Sequence, residues 1–172
     1  WLDPDPVQFV WRYKAKEDRE VAGLLASSLA YGNVKQIKRS VERVLAVLGN
    51  RPAHAIDSLD PGRALRTLEG FKHRFNDAVD VVCLLVFIRE MRRICGSVEA
   101  FFAPDQQVTD IRLAIEAFVR RTLNLPHDSL YGPGALPKKA GVRFFFPSPK
   151  DGSACKRLCL YLRWMVRADS VD

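Results

Sequence analysis

Apolar positions recur every three or four residues over most of this chain, and that period predicts helices. In "KEDREVAGLLASSLAYG" the stripe is Val21, Leu24, Leu25, Ser28 and Leu29, with acids in the first turn and Gly32 as a stop. Asn33 can cap the next helix, "VKQIKRSVERVLAVLG", whose Val34, Ile37, Val41, Val44, Leu45 and Leu48 face one way and whose end is Gly49. In "DPGRALRTLEG", Asp60 is the expected cap, Pro61 the first helical residue and Gly70 the residue past the end. From Asp77 to Cys95 the chain is apolar nearly all round for three turns, which predicts the central buried helix; Arg89, Arg92 and Arg93 suit the negative end of its dipole. After Gly96, Ser97 can cap a short "VEAFF" turn that Pro104 ends. "TDIRLAIEAFVRRTLNL" then turns Ile111, Ala114, Ile115, Phe118 and Leu123 inward.

The rest is less periodic. The opening "DPDPVQFVWRY" reads as extended and proline-punctuated, packing Phe9, Trp11 and Tyr13 against a body. Residues 124–149 hold five prolines and read as one long loop, with a short strand at "VRFFF" as the sole β signal. Ser153 is the expected cap of a last helix, whose apolar face at 100° per residue is Cys155, Leu158, Cys159, Leu162, Met165 and Val166. The fold class that follows is all-α, about seven helices in a single domain. A start at Trp1 reads as a fragment lacking both ends of a longer chain.

Composition adds little until charge is placed along the chain. The 172 residues carry a net charge of +7. The segment 138–167 alone holds eight basic residues against the single acid Asp151, so the remainder is balanced. Concentrated positive charge of this kind suits a polyanion, most often nucleic acid. The longest apolar run, "VVCLLVFI", is eight residues, too short for a membrane helix, and no signal peptide is visible. Cys83, Cys95, Cys155 and Cys159 form no C-x-x-C pair and match no zinc or iron–sulfur spacing. The expectation is a reduced, cytoplasmic protein without metal.

The last helix organises part of that charge. Lys156, Arg163 and Arg167 fall within about 40° of one another, with Arg157 and Trp164 together farther round. "PSPKDGS" brings Lys150, Gly152 and Ser153 to the helix start, an arrangement that can bind phosphate through backbone N–H groups. Lys156 sits in the first turn, where the dipole disfavours a cation by roughly 0.3–1 kcal/mol. That placement suits a lysine that greets a phosphate or acts as an amine nucleophile.

Four blocks, "DPVQFVWRY", "DREVAGLLASSLAYGNVKQI", "GFKHRFN" and "GSACKRLCLYLRWMVR", resemble successive blocks of a bacterial family of conserved hypothetical proteins without an assigned function. That family is in turn distantly similar to the helix-hairpin-helix DNA glycosylases, including the archaeal 8-oxoguanine branch. The resemblance implies an all-α fold, DNA repair by base excision, a base pocket between helices, and no cofactor. It puts "PKDGSACK" in the place of the hairpin and Lys156 in that of the catalytic lysine. Lys150, Gly152, Ser153, Arg157, Arg163 and Arg167 would hold phosphates, and Tyr31, Asn33 and Gln36 would line the base pocket. Two departures stand out. Lys156 lies four residues after Gly152 rather than two after the last hairpin glycine, and no aspartate-bearing "DTH"-like segment follows it; Asp169 and Asp172 are too near in sequence to substitute.

Two other readings use the same residues. The basic face could dock DNA or structured RNA without chemistry, or be ordinary surface of a protein-interaction domain. Phe144, Phe145 and Phe146 could stack on bases or anchor a loop, and "KHRFN" reads as a solvated turn. His54, His73 and His127 are scattered, and no Walker loop, dinucleotide fingerprint or nucleophile elbow is present.

Overall fold

The computed structural model describes residues 5–104 and 109–166. Among these the fold is mostly helical, in ten α-helices: α1 Gln8–Trp11, α2 Lys16–Ser28, α3 Val34–Leu48, α4 Pro52–Asp57, α5 Pro61–Thr67, α6 Ala78–Cys95, α7 Val98–Phe102, α8 Ile111–Thr122, α9 Asp128–Tyr131 and α10 Lys156–Val166. Two 3₁₀ turns, Gly141–Phe145 and Pro149–Asp151, and one small hairpin complete it.

Two buried helices form the centre. Every residue of α2 from Glu20 to Ser28 is buried, and so is every residue of α6 from Asp80 to Ile88. Helices α1, α3, α4, α7 and α10 pack on α2, while α4, α5, α7 and the 141–145 turn pack on α6. The single charged side chain inside α2, Glu20, accepts the Val98 N–H at 2.9 Å, an orphan donor at the start of α7. Burial raises its pKa.

Most of the expected helix stops and caps hold. Asn33 accepts the Lys35 N–H, Asp60 the Arg63 N–H and Ser97 the Ala100 N–H, while Gly96 ends α6 in the left-handed conformation. Asp77 makes a reciprocal capping box with Asp80.

The weakly periodic stretches differ from expectation. The opening segment forms the short helix α1, with Phe9 and Val10 buried, instead of running extended. "VRFFF" is a 3₁₀ turn and not a strand, because Phe145 and Phe146 both go into the core, which alternation cannot do. The long loop is folded too, holding α9 and anchored by buried Leu125, Leu136, Ala140 and Val142.

Helix α10 begins three residues after Ser153, whose hydroxyl accepts the Cys155 N–H at 3.1 Å, so Ser153 is not its N-cap. Its buried face is also rotated from the expected one. Cys155, Leu158, Tyr161 and Trp164 go in, while Cys159 is exposed and Val166 is 79% exposed. Gly23 permits this contact: a Cβ there would lie 2.7 Å from the Met165 methyl and 3.4 Å from the Tyr161 ring. No helix among the described residues is long and apolar enough to cross a membrane.

The rotated face has a direct test in chemical denaturation. Trp164→Ala should lower the unfolding free energy by about 3–5 kcal/mol, whereas Val166→Ala should stay within about 0.5 kcal/mol of the parent. Equal losses would restore the face read from apolar spacing.

Candidate nucleic-acid interface

The surface around the start of α10 is built on a buried polar network. The hairpin pairs β1, Lys72–His73, with β2, Asn76–Asp77, around a two-residue turn at Arg74 and Phe75. Arg74 takes φ +54°, and Gly32, itself at φ +94°, leaves room for it. The hairpin buries His73 and Asn76 and leaves Phe75 54% exposed.

Asn76 is the junction. Its Nδ2 donates to Asp80 Oδ2 and to the Gly141 carbonyl, each at 2.9 Å, and its Oδ1 accepts the Tyr31 hydroxyl at 2.5 Å. Asp80 also accepts the Tyr131 hydroxyl at 2.5 Å and the Asp77 N–H at 3.1 Å. This carboxylate is buried without a cation among its hydrogen-bond partners. Its donors and the positive end of α6 take the place of solvent. Gly141 cannot carry a side chain, since a Cβ would stand 2.2 Å from Asp80 Oδ2. Burial raises the pKa of Tyr31, and burial followed by the Asp80 hydrogen bond raises that of Tyr131, so both remain donors.

His73 ties the network to the helices. Its Nδ1 is 2.9 Å from Ser40 Oγ and its Nε2 3.1 Å from the Tyr31 carbonyl. A neutral ring donating from Nε2 and accepting at Nδ1 fits both. Burial lowers its pKa.

The network fixes the 141–145 turn, and the turn fixes Arg157. The guanidinium donates from Nη2 to the Phe144 carbonyl and lies 4.0 Å from the Phe144 ring centroid and 5.3 Å from that of Tyr31. Burial lowers its pKa, and its Nε has no partner. Tyr31, Phe75 and Phe144 are in mutual ring contact, with centroids 4.4–5.7 Å apart. The exposed edge of this group is the Phe75 ring.

Beside it lies a hollow of about 330 Å³ lined by Arg143, Phe144, Ser153, Cys155, Lys156 and Arg157, with Pro147 and Ala154, and by no carboxylate among the described residues. The first intrahelical bond of α10 runs from the Cys159 N–H to the Cys155 carbonyl. The N–H groups of Lys156, Arg157 and Leu158 therefore have no intrahelical acceptor. Cys155 precedes them at φ +49°, a strained value for a residue with a Cβ. Its thiol lies 3.2 Å from the Pro147 carbonyl, and burial raises its pKa.

The structure thus distributes the sequence candidates. Lys156, Ser153 and Arg157 share the hollow, and Tyr31 meets them through Arg157. Lys156 and Arg163 are both exposed, one helical repeat apart, whereas Arg157 turns inward instead of joining their row. Lys150 is exposed on the Pro149–Asp151 turn, which Gly152 closes at φ +75°. Asn33 spends its side-chain oxygen on α3, and Gln36 is half-buried in that helix, neither lining the hollow. Arg167 lies outside the described residues, as do Asp169 and Asp172. Arg143 and Phe75 were not among the candidates. Arg143 belongs to the basic segment, and Phe75 is the one apolar residue in a polar turn. Among the described residues no group of three or more His, Cys, Asp or Glu could hold a metal ion.

Charge is partitioned in space as well as in sequence. Arg12–Glu42, Lys16–Glu99, Arg92–Asp57 and the Glu90 pairs with Arg89 and Arg93 all lie outside the 138–166 segment. Among the described residues no cation of that segment makes an ion pair.

Residues 5–172 match the family described as a protein of unknown function, DUF2400. The chain belongs to that family. No curated protein and no solved structure matches it. The DUF2400 match spans all four blocks singled out above, including the hairpin and α10.

His73 supplies a pH test of the network. Its folded pKa is lowered, so its contribution is complete above the unfolded value near 6.5 and is lost as pH falls below it. Between pH 7 and 5 the parent should lose more stability than His73→Gln, by about 1.4 kcal/mol for each unit the pKa is depressed. Parallel pH profiles of the two proteins would show that His73 is not buried neutral.

Proposed function

We propose that this protein binds nucleic acid through the start of α10. One observation carries the reading: free helix N–H groups, Lys156, Arg157 and Arg143 surround a hollow that no described carboxylate lines. A helix N-terminus attracts anions through its dipole and unsatisfied donors, and here both act beside fixed cations. Arg143 holds its loop by donating to the Leu136 and Pro137 carbonyls and so presents its charge without a search over rotamers. Lys150 and Arg163 extend the positive surface on either side, and Phe75 offers an open ring beside it on which a base can stack.

If about four phosphates are neutralised, log affinity for duplex DNA should fall with log salt at a slope near −3.6. Lys156→Ala should reduce the slope by about 0.9 while leaving sequence preference unchanged. Anisotropy titrations at several salt concentrations measure both, and a flat response would overturn the reading for DNA and RNA alike.

The finer reading is a glycosylase-like activity with lyase chemistry. What supports it is the resemblance noted above together with the position of Lys156. This amine is exposed, first in its helix, without a carboxylate partner among the described residues and beside the hollow. In that reading it attacks C1′ of a sugar whose base has departed and forms a Schiff base with loss of water. Borohydride should then trap a covalent adduct on oligonucleotides carrying damaged or missing bases, and Lys156→Ala should abolish it. An adduct indifferent to that substitution, or none across a lesion panel, would leave a non-catalytic binding module.

A further inference from the structure

A second hollow, larger than the first and sharing no lining residue with it, lies at the other end of α10. It measures about 610 Å³, within the usual range for small-molecule pockets. Its apolar wall comes from Val10 and Trp11, from Phe102 and Ile111, and from Leu162 and Met165 on α10.

The polar groups in this wall are not ordinary core groups. Tyr161 is 2% exposed and lines the hollow, yet its hydroxyl makes no hydrogen bond among the described residues. The Trp11 indole N–H is buried without an acceptor, and Trp164, also in the wall, donates to no described residue. The Trp11 N–H is a buried donor without a partner, and Tyr161 and Trp164 bring two more unpartnered donors to the same wall, so the hollow points to an acceptor supplied from outside. Burial and the Glu20 and Glu99 carboxylates push the Tyr161 pKa well above its ordinary value, which keeps the hydroxyl a donor.

Charge at the hollow favours an anion. Lys16 is paired with Glu99, and Glu20 is held by the Val98 N–H. Arg19 donates to the Tyr13 carbonyl and lies 4.8 Å from the Trp11 ring. Lys14 and Arg163 line the hollow with no carboxylate partner among the described residues. The unpaired charge there is therefore positive.

We propose that this hollow binds an amphipathic organic anion, an aromatic or branched apolar body with a carboxylate or sulfonate head. The body lies among Phe102, Ile111, Leu162 and Met165, an acceptor atom meets the Tyr161 hydroxyl, and the head faces Lys14 and Arg163. Apart from Arg163, which borders both, no residue of the proposed nucleic-acid surface is needed for this site, nor is its chemistry.

8-Anilinonaphthalene-1-sulfonate is a suitable probe, because its emission rises on leaving water. The expected result with the folded chain is saturable binding of one molecule per chain. Ile111→Glu and Lys14→Glu alter exposed positions, so folding should survive them, and each should weaken binding about tenfold. Tyr161→Phe keeps the packing and should weaken it about fivefold through the lost donor. No saturable binding would overturn the proposal. Several molecules bound per chain, or binding indifferent to Ile111→Glu and Lys14→Glu, would overturn it equally.

Discussion

The Asn76 side chain holds three distant parts of the chain at one point, and the architecture of the candidate site depends on it. Its amide reaches Asp80 at the start of α6, the Gly141 carbonyl in the last third of the chain, and Tyr31 between α2 and α3. In a buried setting each of these bonds has no solvent substitute, so loss of one partner strands the others. The closeness of Gly141 to Asp80 shows how tightly the contact is drawn. An apolar core could have joined the same elements without fixing their register so narrowly.

From that point the constraint passes outward. The pinned turn presents the Phe144 carbonyl and ring, which together seat Arg157. A seated Arg157 fixes the rotation of α10, so that Tyr161 and Trp164 enter the core and Lys156 with Arg163 face out. The basic surface is thus a consequence of buried polar geometry. Arg143 and Arg157 have their positions set by carbonyls and rings, which leaves their charge uncompensated among the described residues. Carboxylate partners are found instead on Arg12, Lys16, Arg89, Arg92 and Arg93. Among the described residues no carboxylate would compete there with the anion proposed to bind.

Much of the helical framework was legible because its signals are local. Asp60 before Pro61, Ser97 before "VEAFF" and Gly96 after Cys95 act through backbone groups within four residues, so spacing alone identifies them. The central place of α6 followed from apolar residues on all its sides. The face of α10 was misread because its residues are apolar nearly everywhere, and spacing cannot rank Cys159 against Trp164. The hairpin was missed because four ladder residues leave no period to detect. Helical spacing set Arg157 apart with Trp164, but its seat on the Phe144 carbonyl and ring depends on a turn thirteen residues away, which spacing does not reveal.

By itself the amino-acid order determined a predominantly helical chain, most of its stops and caps, and the segregation of positive charge toward the end. These depend on backbone hydrogen bonding and composition over short distances. Only the tertiary structure decided which face of α10 is buried, where the Tyr161 hydroxyl gathers with the Trp11 and Trp164 indoles, and which of the described cations lack a carboxylate partner. Those outcomes depend on contacts between residues far apart in sequence, such as Asn76 with Gly141 or Gly23 with Met165, and no local period encodes a partner at that distance.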